Sequence, residues 1–149
     1  MLLLEYEFDN GCSHSSFLGE FPSVEAVQEF DNNMLAEVHG SYEEIADQMR
    51  EYIEFSEELR QANVFEPRHY AGAIEVRAYP LTVGALGAQE CPFGGCEYRW
   101  HDCTEIKNVK TGRTLLVNCG TEHLAREHHF LEKGNAYGVT AKEFYNHFM

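Results

Sequence analysis

The chain contains the segment Cys91-Pro-Phe-Gly-Gly-Cys96 and, further on, the segment Thr121-Glu-His-Leu-Ala-Arg-Glu-His128. Between Cys96 and His123 there are 26 residues. Thiolate and imidazole are ligands that zinc prefers, and four of them complete a tetrahedral site. The glycines between the cysteines permit a tight turn that directs both thiolates toward one point. The sequence therefore predicts a zinc site formed by Cys91, Cys96, His123 and His128.

The chain between the two ligand pairs has the pattern of a β-hairpin. Tyr98, Trp100 and Ile106 alternate on one face of a predicted strand, and residues 114–117 form a predicted return strand. Between them, residues 108–113 have the composition of a turn in which the glycine takes a positive φ. A hairpin is therefore expected directly before the histidine pair.

A helix is expected to carry the two histidines. Thr121 is the predicted N-cap, which places His123 in the first turn, and Gly134 is predicted to end the helix. His123 and His128 are five residues apart, or ~140° around an ideal helix. Both can reach one ion only if the helix tightens or ends near His128.

The order of knuckle, hairpin and helix over residues 91–128 resembles zinc-finger domains of the two-Cys two-His kind, and it is similar to treble-clef zinc modules. The resemblance implies a structural zinc that contributes folding energy. DNA-reading fingers have about 12 residues between the second cysteine and the first histidine, whereas this chain has 26. The resemblance therefore implies a metal-centred module and not DNA reading.

Two further cysteines, Cys103 and Cys119, lie on the two predicted hairpin strands, nearly opposite one another. They can replace a histidine as ligands, form a redox pair, or pack as small apolar side chains. We predict packing, because unligated cysteines are among the most buried residues of proteins.

The chain before the first cysteine motif has the pattern of an acidic α/β region. Alternation over residues 2–9 predicts a strand, Pro22-Ser23 opens a short helix, and residues 73–79 alternate as a second strand. The clearest helix starts at Ser41, with Glu44 completing a predicted capping box. Its predicted apolar stripe comprises Ile45, Met49, Tyr52, Ile53 and Leu59.

The C-terminal segment predicts a last short helix, with Thr140 and Glu143 as a capping box and Val139 and Phe144 as a hydrophobic staple. The expected fold class is α+β. We expect an acidic region over residues 1–90 and a zinc module with the last helix over 91–149, which pack together or form one compact domain.

The net charge of −14 belongs entirely to the first region. Residues 1–90 contain 4 Lys and Arg against 18 Asp and Glu, whereas residues 91–149 contain 7 of each kind. Much of the acid lies on the helix that starts at Ser41. Its acidic face is either a solvated surface or a contact surface for a basic partner. The acidic face comprises Glu43, Asp47, Glu51, Glu54, Glu57 and Glu58.

These features favour a small zinc-stabilised binding or regulatory protein whose acidic face contacts a basic protein, as inhibitor or immunity-like proteins do. A zinc hydrolase is the alternative, with Glu122 or Glu127 as base and His101 or His129 as helper. His-Glu-x-x-His and deaminase signatures are absent. Nucleic-acid binding is a second alternative, which the pI of about 4.9 disfavours.

The compartment is predicted from the cysteines and the first residues. Five cysteines, an odd number, favour a reducing compartment over a disulfide framework. The apolar start Met1–Leu4 has no preceding basic residue and acids follow it, so neither a signal peptide nor a membrane span is expected. We therefore predict a cytoplasmic protein.

Overall fold

The computed structural model describes residues 17–81, 89–93, 99–100 and 102–149. The strand predicted over residues 2–9, Cys96, Tyr98 and His101 lie outside this part of the chain. The described residues form four helices and a four-stranded antiparallel sheet, which confirms the α+β class. No helix among them has the length and apolar character needed to cross a lipid bilayer.

The elements follow one another in a simple order. They are α1 (Val24–Val38), α2 (Tyr42–Gln61), β1 (Arg68–Ala71), β2 (Ile74–Ala78), β3 (Gln89–Glu90), β4 (Arg99–Trp100), β5 (Thr104–Asn108), β6 (Thr114–Val117), α3 (Cys119–His128) and α4 (Ala141–Phe148).

The four-stranded sheet has the order β1-β2-β5-β6 and includes strands from both sides of residue 90. Val76 of β2 pairs with Ile106 of β5, which pairs with Leu115 of β6, and all three side chains are buried. This row lies on the core face, because alternate residues of a strand point to the same side. The strand predicted over residues 73–79 is confirmed. Strand β1, which is mostly exposed, was not predicted.

The predicted hairpin is confirmed at its turn and return strand. Gly112 has a φ of 78°, and Asn108 Oδ1 accepts hydrogen bonds from two backbone N–H groups of the turn. The first strand was predicted too long, however. Trp100 belongs to β4, which pairs with β3 in a separate sheet, and β5 begins at Thr104. Between them, the Asp102 carboxylate accepts a hydrogen bond from the Cys119 amide at 3.0 Å, which directs the chain toward α3.

The starts of α1 and α2 are confirmed. Ser23 Oγ accepts a hydrogen bond from Ala26 N, and Ser41 Oγ accepts one from Glu44 N, each at 3.1 Å. The capping box predicted at Ser41 is only half formed, because the Ser41 amide donates to Tyr145 Oη at 2.9 Å instead of to Glu44. The α2 N-terminus is therefore joined to α4 by a tyrosine hydroxyl.

Both predicted ends of α3 were wrong. The N-cap is Asn118, whose Oδ1 accepts from Thr121 N at 2.8 Å, while Thr121 Oγ1 accepts from Asn118 N at 2.9 Å. Thr121 is therefore the third residue of the helix, and it forms a reciprocal capping box with Asn118. The helix ends at His128 and not at Gly134, because His129 adopts left-handed backbone angles with a φ of 51°.

The last helix starts as predicted, since Thr140 and Glu143 form a complete capping box. Val139 and Phe144 are both buried in the larger of two apolar clusters, which packs α2 and α4 against the sheet. The smaller cluster lies among α1, α3 and the chain after β3. It comprises Phe17, Leu18, Val24, Val27, Cys91, Leu124 and Phe130.

Candidate metal centre

Three of the four predicted ligands lie together. The ligand atoms of Cys91, His123 and His128 are all within 4.8 Å of one another. Cys91 Sγ is 3.4 Å from His128 Nε2, and the two imidazole rings stand at 76° with centroids 5.1 Å apart. Cys96 lies outside the described residues, so its place in the ligand set stays a prediction. The Cys/His group can hold a metal ion.

One ligand separation in this group matches that expected around a small tetrahedral ion. Zinc–sulfur and zinc–nitrogen bonds of ~2.3 and ~2.1 Å imply a ligand separation of ~3.6 Å at a tetrahedral angle. The observed separation between Cys91 Sγ and His128 Nε2 is 3.4 Å. Thiolate and imidazole are also the donors that zinc prefers over harder cations. The residues present therefore fit the group that the sequence predicts.

The helix α3 ends directly after the second of the two histidines. His129 is left-handed, and the amides of His129 and Phe130 both donate to the carbonyl of Leu124. This closure ends the helix directly after His128, as the sequence spacing required. The backbone therefore leaves the regular helix directly after the second histidine.

Cys91 comes from the chain directly after β3 and is buried, with 2% of its surface exposed. It belongs to the smaller apolar cluster, together with Leu124 of α3 and Phe130. The group thus lies at the side of an apolar core, where water has little access to the thiol. Exclusion of water strengthens the attraction between a thiolate and a cation.

Burial also sets the protonation of the two histidines. Desolvation lowers the pKa of His123 and of His128 below the ordinary value of 6.5, against an opposing effect of the nearby Glu127 carboxylate. Both imidazoles are therefore neutral at pH 7, and a neutral imidazole has a nitrogen lone pair available for a metal.

Two residues near His128 were not identified from the sequence. The ring of Phe93 stacks on the His128 imidazole, with centroids 4.3 Å apart and an interplanar angle of 4°. Gln28 of α1 donates from Nε2 to the His128 carbonyl at 2.9 Å. Phe93 lies inside the first cysteine motif, which was the only sequence signal for it. Gln28 is 100 residues away and has no local signature.

The opposite side of α3 forms a charge network with α2. Glu122 accepts hydrogen bonds from Arg50 at 2.6 and 2.9 Å and from Arg126 at 3.1 Å. Arg126 also pairs with Asp47 at 2.9 Å. Glu122, one of the two bases considered for a hydrolase, is therefore engaged by two guanidinium groups on the side that faces α2.

His129, one of the two histidines considered as a helper for a hydrolase, is also engaged with α2. Its Nε2 lies 3.0 Å from Glu43 Oε2, and its ring stacks on Tyr42 with centroids 4.9 Å apart. His129 thus contacts the first turn of α2. The remaining candidate base, Glu127, is exposed.

Cys103 and Cys119 are free thiols and lie outside the metal group. Neither is in a strand: Cys103 precedes β5, and Cys119 is the first residue of α3. Burial is the main cause that raises the pKa of both thiols, to about 11 for Cys119. Cys119 also packs against both apolar clusters. The contacts of Cys119 agree with the predicted packing role, whereas Cys103 belongs to neither apolar cluster and its packing stays a prediction.

Comparison of the chain with protein-family profiles, with curated protein sequences and with solved structures finds no match.

Proposed function

We propose that this chain is a small binding or regulatory protein stabilised by one zinc ion, and that its acidic face contacts a basic protein partner. The observation that supports the metal is the approach of three zinc-type ligand atoms to within 4.8 Å of one another. Bound there, the metal supplies a cation that joins the chain after β3 to the end of α3. The proposed ligands are Cys91, Cys96, His123 and His128.

A structural role is favoured over catalysis by the surroundings of the group. A catalytic zinc requires an open coordination position and a base close to it. The proposed set of four protein ligands fills the coordination sphere, and Glu122 is engaged by Arg50 and Arg126. The metal would then contribute folding energy, because its ligands come together only in the folded chain.

The partner proposal rests on which acids of α2 already contact side chains of α3 or of the residue that follows it. In the first half of the acidic face, Glu43 contacts His129, directly after α3, and Asp47 contacts Arg126 of α3. In the second half, Glu54 and Glu58 are exposed and have no ion pair within the part of the chain that the structure describes. This second half is therefore the surface that favours a basic protein.

Nucleic-acid binding has weaker support. A protein that binds phosphates needs clustered Lys and Arg, whereas this chain has a net charge of −14. On α3 the cation nearest the metal group, Arg126, is paired with Asp47 and Glu122. The electrostatic field around the protein would repel a phosphate backbone.

The metal proposal is tested by measuring zinc in protein purified without added metal. One zinc per chain is expected, and its removal by a chelator should reduce the far-UV circular dichroism signal. Cys91→Ser should abolish zinc retention, and so should Cys96→Ser. The control Cys103→Ser should retain one zinc, since that thiol lies outside the group. Full zinc content in the Cys96→Ser protein would refute the ligand assignment.

The partner proposal is tested by charge reversal on the second half of the acidic face. Partner capture should fall, more at low salt than at high salt, because exposed charges are screened over ~10 Å at 0.1 M. A control that reverses three exposed acids at the start of the chain and in α1 has the same net charge. Equal capture by both variants would contradict the proposal. The test variant carries Glu51→Lys, Glu54→Lys and Glu58→Lys, and the control carries Glu20→Lys, Glu25→Lys and Glu29→Lys.

A further inference from the structure

We propose that Phe93 is a positioning residue of the metal centre, which holds the His128 imidazole in the orientation that a metal requires. The inference rests on the proposed metal function and adds a residue that supplies no ligand atom. The observation that carries it is the nearly parallel stack of the two rings, 4.3 Å apart.

The direction of this contact matters for coordination. A stack covers the face of the imidazole, whereas both ring nitrogens have their lone pairs or protons in the ring plane. Phe93 therefore restricts rotation of the His128 ring without competing for Nε2. In the observed orientation Nε2 lies 3.4 Å from Cys91 Sγ, close to the separation of two ligands on one zinc.

Phe93 is itself supported from behind. Its ring contacts Phe130 in an edge-on arrangement at 5.5 Å and 73°, and Phe130 is 1% exposed within the smaller apolar cluster. Aromatic pairs of this kind are preferred geometries. The core thus fixes Phe130, which contacts Phe93, which in turn restricts the ring of His128.

The backbone of His128 is fixed by a separate contact. Gln28 Nε2 donates to the His128 carbonyl at 2.9 Å, so α1 holds the last residue of α3. With the ring and the backbone both restricted, less conformational entropy is lost when the metal binds. Groups that orient metal ligands through hydrogen bonds typically contribute 10–100-fold to affinity, and we expect the stacked ring to act in the same range.

The sequence places ligand and support in one short segment. Cys91 supplies a sulfur, and two residues later Phe93 supplies the ring that contacts His128. Closure of this segment onto α3 therefore brings one ligand to the metal and orients another at the same time. A leucine at position 93 would fill similar space but has no flat face to stack on the imidazole.

The experiment uses the full chain and two metals, Zn²⁺ and Co²⁺. Zinc dissociation constants are measured by competition with a chromophoric chelator, and Co²⁺ absorption reports the ligand geometry. Phe93→Leu should weaken zinc binding by about 10–100-fold and alter the Co²⁺ ligand-field bands. Phe93→Tyr, which keeps the ring, should restore both to the wild-type values.

Phe130→Leu is the matched control, since it makes the same chemical change at a residue that contacts Phe93, whereas Phe93 itself stacks on His128. Because Phe130 is 1% exposed and Phe93 is half-buried, the control should lower the melting temperature more than Phe93→Leu does. Because Phe130 acts on His128 only through Phe93, the control should alter the Co²⁺ spectrum and weaken zinc binding less than Phe93→Leu does.

Three results would overturn the inference. Wild-type zinc affinity in Phe93→Leu would refute positioning, and equal weakening in both leucine variants would reduce the role of Phe93 to packing. A failure of Phe93→Tyr to restore the Co²⁺ bands would also refute it. If the wild-type chain binds neither Zn²⁺ nor Co²⁺, the proposed metal function itself fails, whatever the variants do.

Discussion

Replacing Lys133 by methionine should strongly destabilise the fold, because it leaves a buried carboxylate without its cation. Lys133 Nζ lies 2.6 Å from Asp31 Oδ2, and the two side chains are 6% and 0% exposed. The same ammonium group donates to the carbonyls of Leu131 and Val139 at 2.8 and 3.0 Å. Asp31 Oδ1 also accepts from Ala141 N at 3.0 Å, at the start of α4.

The expected cost is about 3–5 kcal/mol, the usual range when one partner of a buried ion pair is removed. The structure places this variant at the upper end of that range, because two carbonyls lose their donor together with the carboxylate. Each unsatisfied buried group costs about 1–3 kcal/mol. A methionine side chain fills the space of the lysine stem, so lost packing adds little.

The assay is urea unfolding followed by circular dichroism, with the zinc content held equal between variants. The double variant Asp31→Asn with Lys133→Met removes both charges and keeps an oxygen for the Ala141 amide. It should therefore be more stable than Lys133→Met alone. A loss below about 1 kcal/mol in the single variant, or additive losses in the double variant, would refute the reasoning.

Two further predictions concern other buried contacts. Burial raises the pKa of Glu132 from 4.5 to about 7, so its contribution to stability is complete below pH 4.5 and is lost as the pH rises to about 7. Glu132→Gln should abolish this decline in the free energy of unfolding. The decline is worth up to about 3 kcal/mol, at ~1.4 kcal/mol per tenfold change in proton affinity. Parallel pH profiles of unfolding for the wild type and the variant would contradict the prediction. A Cβ at Gly40 would lie 2.2 Å from Tyr145 Cζ, so Gly40→Ala should cost about 1–3 kcal/mol in thermal unfolding. That cost should shrink in a Tyr145→Leu background, and an unchanged cost would show that the tyrosine is not its cause.

Local signals predicted most of the described elements. Alternating side chains identified β2, since one face of that strand is buried and the other is not. Ser23, Ser41 and Thr140 identified helix starts, because each hydroxyl accepts a hydrogen bond from an amide three residues later. These interactions span two to four residues and are therefore legible in a single sequence.

The failures arise from competition between alternative contacts, some of them local and some distant in sequence. Thr121 has the chemistry of an N-cap, but Asn118 takes that role while its neighbour Cys119 is bound by Asp102. The apparent continuity of a strand through Trp100 was broken by the pairing of β4 with β3. Local propensity indicates which residues can begin a helix or extend a strand, and tertiary contacts decide which of them do so.

Only part of the candidate site was predicted, because some of its contacts join residues that are distant in sequence. Cys91, His123 and His128 were identified because metal ligands have a distinctive chemistry and spacing, and the structure brings these three together. The stack of Phe93 on His128 joins residues 35 positions apart. An aromatic residue inside a cysteine motif is equally consistent with packing alone, so only the folded geometry indicates its role.

The charge asymmetry along the chain acquires a spatial meaning in the fold. Cations from the neutral second region neutralise acids of the first: Lys133 pairs with Asp31, and Lys142 with Glu37. Arg126 pairs with Asp47 near the start of α2. These pairs lie where the two regions pack, whereas Glu54 and Glu58 in the second half of α2 are exposed. The helix α3 carries both the two histidines of the Cys/His group and Arg126, the cation that pairs with Asp47 of α2. Under the proposed function, a metal that orders α3 would also hold Arg126 against Asp47 and leave Glu54 and Glu58 exposed to the proposed partner.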